Sequence, residues 1–294
     1  MNADPTESSL PSETGVARAE LRVSDLGATV DFYRDVVGLT VRERTETSAA
    51  LGTAERRLLD LRAAPGAPAR GRGEAGLFHL AFLLPSRAAL GAALERIEGT
   101  WELSGASDHA VSEALYLRDP EGNGVEIYRD TPPETWPRSD GRVGIDTLPL
   151  DLEAVRAAHT DRNAAASEES VPPETQLGHV HLEVTDLDAA VGFYRDGIGF
   201  GVTHEHGDEA AFLAAGDYHH HLGLNTWQGR REPKREDGRG LVAYEIAVPN
   251  AAALEAVAER LADAAGIDIE DGPADGTLAV TDPDGIRVRI AVED

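Results

Sequence analysis

Residues 25–39 (DLGATVDFYRDVVGL) return at 186–200 as DLDAAVGFYRDGIGF, identical at nine of fifteen positions. A repeat of this length implies a duplicated scaffold, so the 294-residue chain is expected to fold as two like halves, each long enough to bury a core. Aligned outward from the repeat, the halves agree as scaffold and differ as chemistry. His179 and His181 stand where the first half has Arg18 and Glu20. His79 and Glu126 stand where the second half has Ala243 and Arg289. Neither half alone holds two histidines and a carboxylate at matching positions; together they do.

Each half reads as two similar units. Alternating Ala17–Val23 predicts a strand. Asp25 then caps a helix with Leu26, Val30, Tyr33 and Val37 at helical spacing and Gly38 just past its end, and strands near 40–47 and 56–62 follow. Leu77–Leu84 predicts a buried strand, and Pro85-Ser86 opens a helix to about Ile97. LYL at 115–117 and VEIY at 125–128 flank DPEGNG, whose Asn-Gly is a hairpin signal. The second half repeats this plan, with strands 179–184, 202–206, 210–214, 219–225 and 241–248, helices 186–196 and 250–264, and LAV and RVRIAV about DPDG. The predicted class is α+β, with four βαβββ units. The predicted organisation is a disordered tail over 1–14, an N-terminal domain over 15–130, a surface linker over 131–176 with a helical stretch near 150–158, and a C-terminal domain over 177–294. Loops 63–75 and 228–239 read as irregular, the second as an exposed loop or a lid.

With 53 acidic and 27 basic residues the net charge is −26, which repels nucleic acid and anionic membranes. The acid-rich, aromatic-poor composition resembles that of proteins from salt-loving organisms. The chain has no cysteine, which removes disulfides, thiolate metal sites and cysteine nucleophiles. Residues 1–14 carry no signal-peptide pattern and no apolar run is long enough to span a bilayer, so a cytoplasmic protein without membrane contact is expected.

The βαβββ repeat, the D-L-x-x-A-x-x-F-Y-R-D helix and the D-P-[ED]-G turns resemble the vicinal oxygen chelate superfamily. Three stretches, GHVHLEV at 178–184, GDYHHHLGLNTW at 216–227 and GASDHAVSEALYLRDPEGNGVEIY at 105–128, resemble its catechol-2,3-dioxygenase branch, the type I extradiol enzymes. The resemblance implies two half-open cups of sheet, glyoxalase-like in fold, with a metal on one inner wall. It carries the metal ligands onto His79, Glu126 and His179. The family's commonest arrangement draws all three from one domain; here they converge only if units two and three share a cup, leaving one and four metal-free. The competing geometry completes partial sites across chains, and a homo-oligomer is left open.

Two neutral imidazoles and a carboxylate suit Fe(II) and oxygen chemistry, with Mn(II) as substitute, and do not by themselves exclude zinc. Glu126 lies in an apolar alternation, where an unpaired charge is costly to bury. His179 and His181 share a strand face, and the family's Gly-His pair matches Gly178-His179. The resemblance further implies an acid/base histidine on the His219–His221 strand, assigned to His220 with His221 second, and a tyrosine beside the substrate at Tyr116. Asp108 and His109 are expected to form an outer shell that orients Tyr116 or the substrate. The expected partners are a small aromatic diol and O2. The competing functions are a glyoxalase-like metal lyase or isomerase, which favours four protein ligands, and a non-catalytic small-molecule-binding protein of the antibiotic-resistance type, which needs no metal.

Overall fold

The computed structural model describes residues 8–139, 142–160, 170–264, 267–272 and 276–293. Four βαβββ units are present, as the repeat predicts, and within each the last strand pairs in parallel with the first. The order across every unit is therefore first, fourth, third, second. The units then combine across the chain's two halves. Gly15–Val23 of unit one pairs antiparallel with Gly240–Val248 of unit four, giving an eight-stranded sheet. Gly76–Leu83 of unit two pairs antiparallel with Gln176–Glu183 of unit three, giving a nine-stranded sheet. Neither sheet belongs to one half, and a single apolar cluster runs through both.

The repeated motifs explain how the halves hold together. Asp25 and Asp186 cap their helices, accepting from the amides of Ala28 and Ala189. Each helix closes in a π-helical turn, Tyr33–Val37 and Phe193–Ile198, and leaves through a left-handed glycine, Gly38 at φ 89° and Gly199 at φ 111°. The turn buries a tyrosine whose hydroxyl reaches the aspartate of the next unit's D-P-[ED]-G: Tyr33 donates to Asp119 at 3.3 Å and Tyr194 to Asp282 at 2.8 Å. The acid two residues on completes the latch. Glu121 accepts from the Ser24 amide and hydroxyl, and Asp284 from those of Thr185. The two motifs are thus mates, and their recurrence is structural.

Several expectations need correction. Strands Ser48–Gly52 and Gly105–Asp108 escaped the sequence reading because SAALG and GASD are short and small, without an alternating apolar face. In the Asp119–Gly124 hairpin the residue at positive φ is Gly122, at 87°, and Asp119 accepts from the amides of Glu121 and Asn123. The predicted Asn-Gly turn is therefore an aspartate-held one. Residues 8–14 do not behave as a disordered tail: the Ser9 amide donates to Gly199 and Leu10 is buried. Residues 1–7 lie outside those described.

The predicted surface linker is also more than a linker. Its helix Leu152–Thr160 buries Val155 against helix Arg87–Thr100, where Gly91 lies so close that a Cβ would meet the Val155 carbonyl at 2.5 Å. Leu148–Pro149 adds an edge strand to the nine-stranded sheet. Loop 228–239 is exposed along most of its length and tied to loop 63–75 by Ala75 to Glu232, Arg231 to Gly73 and Arg239 to Pro68. That lacing opposes a lid role.

Candidate metal centre

Two bulges aim the site. Pairing between Gly76–Leu83 and Gln176–Glu183 skips Phe78 and Gly178, so Phe78 and His79, neighbours in sequence, both line the cavity beneath the sheet. Gly178 lets the strand pass Tyr128, whose hydroxyl would lie 1.9 Å from a Cβ there. Leu80, Phe82, Val180 and Leu182 join the main core, while His79, His179 and His181 face the cavity. Glu126 comes from Gly124–Asp130, the strand parallel to that of His79.

His79 Nε2, His179 Nε2 and Glu126 Oε2 form a triangle with sides of 2.9 Å (His79–Glu126), 3.2 Å (His79–His179) and 3.3 Å (His179–Glu126). All three side chains are buried. They are the described residues brought together as a metal-holding group, and they meet within one chain. Burial pushes the His179 imidazole down to about 4, against the pull of Glu126. Burial would raise the Glu126 carboxyl, but the facing imidazoles of His179 and His79 more than offset this and hold it well below its ordinary value. At neutral pH the group therefore offers an imidazole lone pair and a carboxylate to one point. Donors 2.9–3.3 Å apart suit a shared ion bound at about 2.1 Å. The residues fit a divalent metal.

The other predicted residues surround this group. His220 packs against His179 with ring centroids 4.2 Å apart and the rings tilted by 47°, and it lines the cavity. Burial, then the charges of His179 and His219, lower its imidazole well below the usual value. Tyr116 lies across from Glu126 on the neighbouring strand, and burial, then Glu126, raises its hydroxyl well above 10. His109 Nδ1 donates to the Asp146 carbonyl at 2.6 Å, leaving Nε2 to accept from the Tyr116 hydroxyl at 2.6 Å. Asp108 bonds to the backbone of its own turn. It accepts from the amide of Ala110, which sits at φ 66° and turns the chain after His109. His221 points elsewhere, its Nδ1 accepting from the Ala215 amide.

The cavity holds about 690 Å³. The sequence shows Trp227 only as part of a family string and gives no sign of Phe78 or Phe212; the three supply aromatic surface to the wall, and Ile145 to Thr147 of the linker close one side. Asn225 donates to His181 Nε2 at 3.0 Å, which keeps that imidazole out of the triangle. In the eight-stranded sheet the equivalent positions are filled by ion pairs: Glu20 meets Arg62 at 2.5 Å and Arg289 at 2.9 Å, and Arg18 meets Glu245 at 2.7 Å. Arginine thus neutralises the buried carboxylate in that cup, where the other cup holds the two-imidazole, one-carboxylate group.

Residues 15–127 and 176–290 match the model of the Glyoxalase/Bleomycin resistance protein/Dioxygenase superfamily. The chain belongs to that superfamily. A protein of Bacillus subtilis (strain 168) named catechol-2,3-dioxygenase is 39% identical over 280 residues, 94% of this chain and 96% of that one. Among solved structures, a putative dioxygenase from Bacillus subtilis subsp. subtilis str. 168 superimposes with a TM-score of 0.63 at 15% identity, covering 97% of this chain and 86% of the other. Glyoxalase I from Zea mays does so at 0.58 and 18%, covering 95% and 92%. These structures share the superfamily's fold with this chain. No helix of the described residues is long and apolar enough to cross a membrane.

Proposed function

We propose that the protein is an extradiol dioxygenase that opens a small catecholic ring beside its two hydroxyls, with His79, His179 and Glu126 holding Fe(II), or Mn(II) in its place. The observation that carries this reading is the buried two-imidazole, one-carboxylate triangle on the wall of an aromatic-lined cavity, flanked by His220 and Tyr116. The 39% identical relative named catechol-2,3-dioxygenase supports it. When bound, the metal supplies coordination of the diol and of O2 and a route for electrons between them. Both atoms of O2 enter the product, so no external reductant is consumed.

The chain's own residues do the rest. His220, neutral at neutral pH, takes a proton from a substrate hydroxyl and later returns it. Tyr116, held by His109, presents its hydroxyl oxygen to the substrate on the other side of the triangle. Phe78, Phe212 and Trp227 give the ring an apolar berth and displace water.

The lyase reading favours a fourth protein ligand, and among the described residues the metal-holding group has three members. Anaerobic protein loaded with Fe(II) and mixed with catechol is expected to turn yellow on admitting air, with one O2 consumed per catechol. Stoichiometric metal without oxygen uptake on any catechol, or turnover of a hemithioacetal instead, would overturn the proposal.

A further inference from the structure

Behind His220 lies a second histidine, and behind that a carboxylate. His219 Nδ1 is 2.7 Å from His220 Nδ1, and His219 Nε2 is 2.8 Å from Asp130 Oδ1. His219 is fully buried, stacked against Tyr218 at 4.1 Å and packed on Trp136 at 5.2 Å. Asp130 Oδ2 accepts from the Tyr218 hydroxyl, which accepts in turn from Tyr128. Glu126, Tyr128 and Asp130 alternate along one strand, so the same strand face carries the metal-site carboxylate at one end and this carboxylate at the other.

Proton positions follow from the contacts. Both Asp130 oxygens accept, so His219 carries its proton on Nε2. With the His219 proton on Nε2, its Nδ1 presents a lone pair, and the 2.7 Å contact is made by the Nδ1 proton of His220. The remaining lone pair of His220 is on Nε2, on a ring that lines the cavity.

We propose that Asp130 and His219 are positioning residues that fix His220 in the tautomer whose Nε2 lone pair serves the cavity. The inference rests on the acid/base role given to His220 above. When a substrate O–H bond breaks, its proton forms an N–H bond at His220 Nε2. The Nδ1 proton can shift to His219, placing the positive charge beside the Asp130 carboxylate. The logic is that of an aspartate orienting a catalytic histidine, extended by one ring.

The test is nitrogen-15 NMR of imidazole-labelled, metal-free protein above the imidazole titration range, with His220 assigned from the His220→Gln spectrum. The wild-type His220 is expected to carry its proton on Nδ1. In Asp130→Ala and His219→Phe it is expected to shift substantially to Nε2. A wild-type His220 protonated on Nε2, or an unchanged tautomer in both variants, would overturn the proposal. In turnover, His219→Phe is expected to lower kcat about 100-fold with KM within about threefold. A wild-type protein with the expected tautomer but no dioxygenase activity removes the catechol reading and leaves the relay standing.

Discussion

Single atoms decide whether this site forms. Gly178 precedes the metal-site His179, and a Cβ there would lie 1.9 Å from the Tyr128 hydroxyl. Gly178→Ala is therefore expected to cost about 2 kcal/mol, and Tyr128→Phe in the same chain to restore part of it. Denaturant unfolding of the single and double variants measures both, and equal stability of Gly178→Ala and wild type would contradict the packing argument. The sequence made the candidate ligands visible because His79 and Glu126 interrupt apolar runs, and an unpartnered charge there needs a reason. It did not show Asp130 beside His219, since that pair joins positions 89 residues apart and neither breaks a local pattern. Asn225 was visible as part of a family string, but its role depends on a bond to His181 formed only when strands pair.

At the level of elements, the repeated motifs bind each helix turn to the following unit's hairpin. The Tyr194–Asp282 contact is shorter than Tyr33–Asp119, 2.8 Å against 3.3 Å. Tyr194→Phe is expected to destabilise the protein by about 1–2 kcal/mol and Tyr33→Phe by less, as read from thermal unfolding. The reverse order would contradict the latch. The long alternating strands and capped helices were legible because their periodicity is local. Ser48–Gly52 and Gly105–Asp108 were not, because their place is set by the neighbouring strands that pair with them. The linker segment was misread for a related reason. Its Pro, Asp and Glu content signals irregular chain, yet Trp136, Val143 and Val155 are buried by partners far off in sequence.

For the whole molecule, the pairing of unit two with unit three and unit one with unit four brings three distant side chains together. It also concentrates buried imidazoles. Burial lowers His179 to about 4 and His221 to about 3, and His181 and His220 well below the usual value. Between these values and about 6.5 the unfolded chain binds protons that the fold refuses, so stability is full above that range and falls as pH drops through it. Asp282, raised by burial to about 7, and Asp119, raised likewise, act in the opposite sense. Four imidazoles outweigh two carboxyls, so the metal-free protein is expected to lose thermal stability between pH 7 and pH 5, and Asp282→Asn to steepen the loss. A flat profile would contradict this. The proposed chemistry depends on one ion being shared by units two and three. Anaerobic calorimetric titration with Fe(II) measures that most directly. The wild type is expected to bind one equivalent per chain, and His79→Ala, Glu126→Ala and His179→Ala each to bind at least about 100-fold more weakly while remaining folded. Undiminished binding in any of the three would contradict a centre built from both halves of the chain.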